Sequence, residues 1–131
     1  MSRVFDSNIL IYHLNEKLDT AAEAMLEQAL EEGAYISVIT RIEILGWPGQ
    51  PAGTSQRAKS FLDQFSEQAL TDEIAERCIA LRQQRRIKIP DAIVAATAQQ
   101  LNFPLVTRNT DDFRWIDGLE LINPFEPATG K

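Results

Sequence analysis

Short apolar runs alternate with longer segments of helical period along nearly the whole chain, and this order leaves few folds open. Arg3 to Phe5 reads as a strand, followed by an apolar helix from Ser7 to Leu14. Asp19 caps a second helix, Thr20 to Glu32, with Ala22, Met25, Leu26, Ala29 and Leu30 on its apolar side, and Gly33 ends it. Ala34 to Ser37 is the second strand. A helix from about Val38 to Leu45 leads into a loop, Gly46 to Gly53, rich in Gly and Pro. Thr54 to Phe65 reads as a helix and Glu67 to Leu70 as a weak third strand. Thr71 then caps a helix over Asp72 to Arg86, on which Ile74, Cys78 and Leu81 form a core stripe. Pro90 opens a helix through Leu101 that is apolar nearly all round, so it needs cover on several sides. Pro104 to Thr107 is the fourth strand, Thr110 to Trp115 a short helix, and Leu119 to Ile122 the fifth strand. Such an order predicts an α/β fold, a three-layer α/β/α sandwich around a five-stranded, mainly parallel sheet.

The 131 residues suit one domain, residues 1 to 131, with a loose tail from about residue 124. No stretch of about 20 apolar residues is present, and the N-terminus lacks the apolar core of a signal peptide, so no membrane association is expected. Cys78 is the only cysteine, which excludes internal disulfides and cysteine-cluster zinc sites and fits a reducing cytoplasm. His13 is the only histidine, which argues against a Ser-His-Asp triad or a His-rich metal site. The net charge of −6 argues mildly against a nucleic-acid partner, unless some of the acids serve a metal.

In parallel folds the site lies at the carboxyl ends of the strands. Asp6 follows strand one, Glu43 lies on the helix after strand two, and Asp112 opens the helix after strand four. Asp91 joins them if its helix starts beside Asp6. Each alone has an ordinary explanation. Asp6 can be a helix cap, and Glu43 can close a capping box with Thr40. Asp91 and Asp112 can simply favour the positive ends of their helices. Together they repel one another unless a cation is bound, and an oxygen-only set without His or Cys suits Mg²⁺ or Mn²⁺.

Four stretches, FDSNILIYHL, SVITRIEIL, IPDAIVAATA and LVTRNTDDF, in this order and spacing, resemble the PIN-domain family, and within it the toxin ribonucleases of VapBC-type toxin–antitoxin pairs. The resemblance spans nearly the whole chain and implies Mg²⁺- or Mn²⁺-dependent endoribonuclease activity. It maps the catalytic acids onto Asp6, Glu43, Asp91 and Asp112, with Asp6 and Asp91 as first-rank metal ligands and Glu43 and Asp112 second. Asn8, Thr107 and Asn109 match supporting polar positions. Some members carry an acid where this chain has Asn109, which favours one tightly bound metal over two. Two divalent ions would offset four of the six excess negative charges. Arg41, Arg86, Lys88 and Arg108 are then candidates for RNA phosphate contacts, as are Arg82, Arg85 and Arg114. A cognate antitoxin is the implied protein partner. The two apolar helices, Ser7 to Leu14 and Ala92 to Leu101, predict a homodimer, because they carry more apolar surface than one small sheet covers.

Two other readings compete. A haloacid-dehalogenase-like phosphatase also places an Asp after strand one, but needs a second Asp two residues on, where Asn8 stands. A non-catalytic partner-binding module would use the same acids only as caps.

Overall fold

The computed structural model describes residues 1–51 and 53–125. Five strands form one sheet: β1 (Arg3–Phe5), β2 (Ala34–Ser37), β3 (Ser66–Gln68), β4 (Leu105–Val106) and β5 (Leu121–Ile122). Their spatial order is β3-β2-β1-β4-β5, and every neighbouring pair is parallel. Among the described residues six α-helices accompany them: α1 (Ser7–Leu14), α2 (Thr20–Glu32), α3 (Val38–Leu45), α4 (Thr54–Leu62), α5 (Asp72–Gln84) and α6 (Ile89–Leu101).

Two apolar clusters, one on each side of the sheet, explain the three layers. Side chains alternate across a strand. Accordingly Val4 and Leu105 enter one cluster with Ile74, Leu81 and residues of α6, while Phe5, Ile36 and Val106 enter the other with Ile9, Leu26 and Phe61. The central strands are buried on both faces, as expected for parallel sheets.

Chain direction across the sheet reverses between β1 and β4. From β1 the sheet grows one way through β2 and β3, and the other way through β4 and β5. Ligands of open α/β sheets bind at such a switch point, outside the carboxyl ends of the strands.

Local chemistry sets the element ends. The Asp19 side chain accepts the Ala22 N–H at 2.8 Å and starts α2. Gly33 stops it at φ +138°, and a Cβ there would lie 2.4 Å from Ser2 Oγ. Several segments differ from the sequence expectation. α4 ends at Leu62 rather than Phe65, because Phe61 and Phe65 turn edge-on at 5.2 Å and the chain then leads into β3 at Ser66, earlier than expected. α5 stops at Gln84, and Arg85 is extended. The short helix after β4 is a single 3₁₀ turn, Thr110–Asp112.

The covering of α6 also differs. Ala92 through Ala98 are buried within the single chain, so this stretch of α6 leaves no surplus apolar face. Exposed large apolar side chains occur at Ile42, Trp47, Leu70 and Ile79, and on α6 only at its first residue, Ile89, among the described residues. Of the expected loose tail, Phe125 packs its ring 5.4 Å from that of Tyr12, and residues 126–131 fall outside the described residues.

Candidate active site

Asp6 sits where β1 hands over to α1, 5% exposed. It caps α1, since its Oδ1 accepts the Ser7 N–H at 2.8 Å. Capping does not exhaust it. Its Oδ2 accepts the Thr107 hydroxyl at 2.8 Å and the Asn8 amide at 3.3 Å. Thr107 follows β4, so this contact spans the switch point. The Thr107 oxygen in turn accepts the Asn109 N–H at 3.1 Å and the Asn8 amide at 3.5 Å, while Asn8 Oδ1 receives the Arg108 N–H at 3.5 Å. Asn8 is thus a donor to Asp6 where a phosphatase would have its second acid.

Burial raises Asp6 from 3.8 to about 6; the Thr107 hydrogen bond opposes this, and the charges of Asp91 and Glu43 add to it. Glu43 is also raised, by burial first and by Asp91 in addition, against a hydrogen bond from Ser7. Asp91 is raised by burial and by Asp112, and lowered by Lys88. Four carboxylates from four segments therefore sense one another through space. Asp91 reaches them because α6 begins at the same sheet edge as Asp6.

The ordinary explanations weaken for two of the acids. Ser37, not Thr40, caps α3, and Thr40 lies inside the helix with a buried hydroxyl that has no partner among the described residues. Glu43 is thus too far along α3 to close a capping box. Asn109 starts the 3₁₀ turn without a side-chain cap bond, and Asp112 follows it by one turn on the exposed side.

None of the four acids forms an ion pair among the described residues. Nor do any three acidic, His or Cys side chains there close into a ready metal cage. A buried carboxylate without a cationic partner takes up a proton more readily. The donor set is all oxygen, and Asp6 Oδ1, which accepts only the Ser7 N–H, retains a lone pair, while Oδ2 is already occupied by Thr107 and Asn8. Such a set fits a hard divalent cation.

The cations are placed unevenly. Arg41 is engaged with Asp63 at 3.3 Å and Glu67 at 3.7 Å. Arg86 and Lys88 are exposed near the start of α6. Arg85 lies 5.1 Å over the Trp115 ring, whose N–H donates to the Asp112 carbonyl at 2.9 Å. The Arg108 guanidinium lies 5.2 Å over Tyr12 and 5.0 Å over Phe125, and donates to the Tyr12 hydroxyl. Sequence reasoning missed Ser7, Tyr12, Trp115 and Phe125. Ser7 adjoined a candidate acid, but nothing in the sequence paired the aromatics with particular arginines.

Comparison with known proteins agrees with this geometry. The family model described as PIN domain matches residues 3–119. A VapC ribonuclease, Y4jK of Sinorhizobium fredii, is 31% identical over 95% of this chain and 99% of its own length. The chain is a PIN-domain protein of the VapC type. Among solved structures, this VapC-type chain is similar to one in a toxin–antitoxin complex from Klebsiella pneumoniae, with 38% identity, a TM-score of 0.75, and cover of 95% of this chain and 99% of that one. FitAcB from Neisseria gonorrhoeae shares the fold at 23% identity and a TM-score of 0.80, over 95% of this chain and 99% of the other. Among the described residues no helix of the VapC-type chain is long and apolar enough to cross a membrane.

Proposed function

We propose that this chain is a divalent-cation-dependent endoribonuclease and the toxin half of a toxin–antitoxin pair. One observation carries the site assignment. Asp6 is a buried carboxylate ringed by Asp91 and Glu43, its pKa is raised, and no cation pairs with it among the described residues.

On this reading Asp6 and Asp91 would hold Mg²⁺ or Mn²⁺, with Glu43 and Asp112 in a supporting rank. The bound ion supplies a Lewis acid for a phosphate oxygen and a water of lowered pKa. The chain's own residues supply the positions. Thr107 and Asn8 fix the Asp6 carboxylate, and Ser7 steadies Glu43. Burial keeps water from competing for the Asp6 oxygens. Glu43 and Asp112 are the acids placed to orient an attacking water or take its proton. Arg86 and Lys88 contact the RNA backbone and offset the excess acidic charge.

The partner of this chain is a cognate antitoxin, as the toxin–antitoxin complex from Klebsiella pneumoniae suggests by its similarity. A homodimer and a cytoplasmic location belong to the same reading. Its support for a dimer is now the exposed apolar set that includes Ile42 and Trp47, rather than α6.

The test is cleavage of single-stranded RNA by the full chain with Mg²⁺, with Mn²⁺, and with excess chelator. Internal cuts that need the ion and vanish in Asp91→Asn are expected. Cleavage that persists in chelator, or in Asp91→Asn at the wild-type rate, would overturn the assignment.

A further inference from the structure

Beside the acid cluster runs a polar groove of about 350 Å³, walled by Arg108, Asn109, Asp112, Arg114 and Asn123 among others. That size falls near the lower bound for small-ligand sites, about 300 Å³. Its two arginines are held in different ways. Arg114 pairs with Asp111 at 3.1 Å, both exposed, which neutralises it locally. Arg108 pairs with no carboxylate among the described residues. It is gripped by the Tyr12 and Phe125 rings and by the Tyr12 hydroxyl. Its backbone is fixed as well, because its N–H donates to Asn8 and its carbonyl accepts from Asn123 at 3.4 Å.

A guanidinium held by rings keeps its whole charge, since the rings orient the cation without cancelling it. Five donors in a rigid fork cannot all be used by one hydroxyl. In a chain of net charge −6, a cation braced on one side by two adjoining rings and paired with no carboxylate among the described residues is matched to an external anion. The groove places that anion one residue from Thr107 and on the same wall as Asp112, so the anion must lie next to the reacting phosphate. Single-stranded RNA offers a phosphate on either side of the one being cut, and its splayed bases stack on guanidinium planes and bond to polar walls.

We propose that this groove is a subsite for the RNA nucleotide flanking the scissile bond, with Arg108, braced on one side by Tyr12 and Phe125, as its phosphate-binding group. The inference rests on the ribonuclease reading and adds a strand path. The nucleotide leaves the acid cluster past Asp112, over the 3₁₀ turn. Arg108 is a binding residue here and takes no part in bond breaking.

The experiment measures binding of a short single-stranded RNA to the full chain in chelator, where no cleavage interferes, at several salt concentrations. Arg108→Ala is compared with wild type, and Arg77→Ala, whose side chain bonds Gln100 on another face, serves as control. Loss of one phosphate contact should weaken binding about tenfold and reduce the slope of log affinity against log salt by about 0.7. Arg108→Lys should restore the slope but not all of the affinity, because it keeps the charge and loses the fork. In the cleavage assay KM should rise more than kcat falls. An unchanged slope in Arg108→Ala, or a fall in kcat at constant KM, would overturn the subsite and leave Arg108 as a support for Asn8. Should Arg108→Ala fail to fold, Arg108→Gln against Arg108→Lys makes the same comparison of charge. If wild type binds RNA through Arg108 yet never cuts it with either ion, the ribonuclease reading fails while the groove stands.

Discussion

Replacing Asp6 by Asn should stabilise the metal-free protein at neutral pH while destroying its activity. The Asp6 carboxyl is raised from 3.8 to about 6, chiefly by burial. A folded-state value above the unfolded one means that the native protein holds the proton more tightly. Stability from this group is therefore greatest below pH 4 and falls as pH rises through about 6. Above that, the folded chain carries an ionisation penalty of about 3 kcal/mol. Asn removes the charge but mismatches one bond, because an amide nitrogen in place of Oδ2 would face the Asn8 amide, a second donor. That mismatch returns about 1–2 kcal/mol. The net gain is about 1–2 kcal/mol, or about 4–8 °C in Tm for a chain of this size. Thermal melts of both proteins in excess chelator, from pH 4 to pH 8, check it. The Asn variant should melt higher at pH 8 and lose its advantage by pH 4. Added Mn²⁺ should raise the Tm of wild type and leave the variant unmoved. A variant that melts lower than wild type at pH 8, or a difference that does not change with pH, would refute the argument that Asp6 is a buried charge awaiting a cation.

Thr107→Val should cost about 1.5–3 kcal/mol of support for the ionised Asp6 carboxylate and push its pKa further up. Activity measured against pH should then rise later, with Thr107→Ser close to wild type. Asp91→Asn should abolish metal-dependent RNA cleavage while circular dichroism stays unchanged. Asp112→Asn should lower the cleavage rate strongly, whereas Asp111→Asn, which is exposed and paired with Arg114, should change it little; the reverse ranking would remove Asp112 from the site. Gly33→Ala should destabilise the fold by about 1–3 kcal/mol, read by denaturant midpoint, since φ is +138° and the added carbon meets Ser2.

Elements with strong local signals were legible in the sequence. The Asp19 and Thr71 caps, the Gly33 stop and the alternation of apolar runs place α2, β2 and the start of α5 where they are found. Errors fell where tertiary contacts decide. α4 gives up its last turn to the Phe61–Phe65 contact, and the segment after β4 is too tightly tied by the Asn109 and Thr110 carbonyls for a full α-helix. The all-round apolar pattern of α6 signalled burial, but not that α5 and the sheet suffice to bury it. At the site, the acids could be read from their positions at strand ends. The Tyr12–Arg108–Phe125 contact could not, because it joins residues about a hundred positions apart with no shared local pattern.

The Asp6–Thr107 hydrogen bond also spans 101 positions. During synthesis, Asp6 and Glu43 leave the ribosome well before β4 does, Asp91 shortly before it, and a chain folds from its N-terminus as it emerges. Until β4 docks against β1, the first acid lacks the Thr107 hydroxyl and stands at an open sheet edge, with β2 on its other side only. A nascent or prematurely terminated chain that ends before β4 thus carries three of the four acids without the geometry that orders them. The geometry around the first acid therefore forms only when translation is nearly finished.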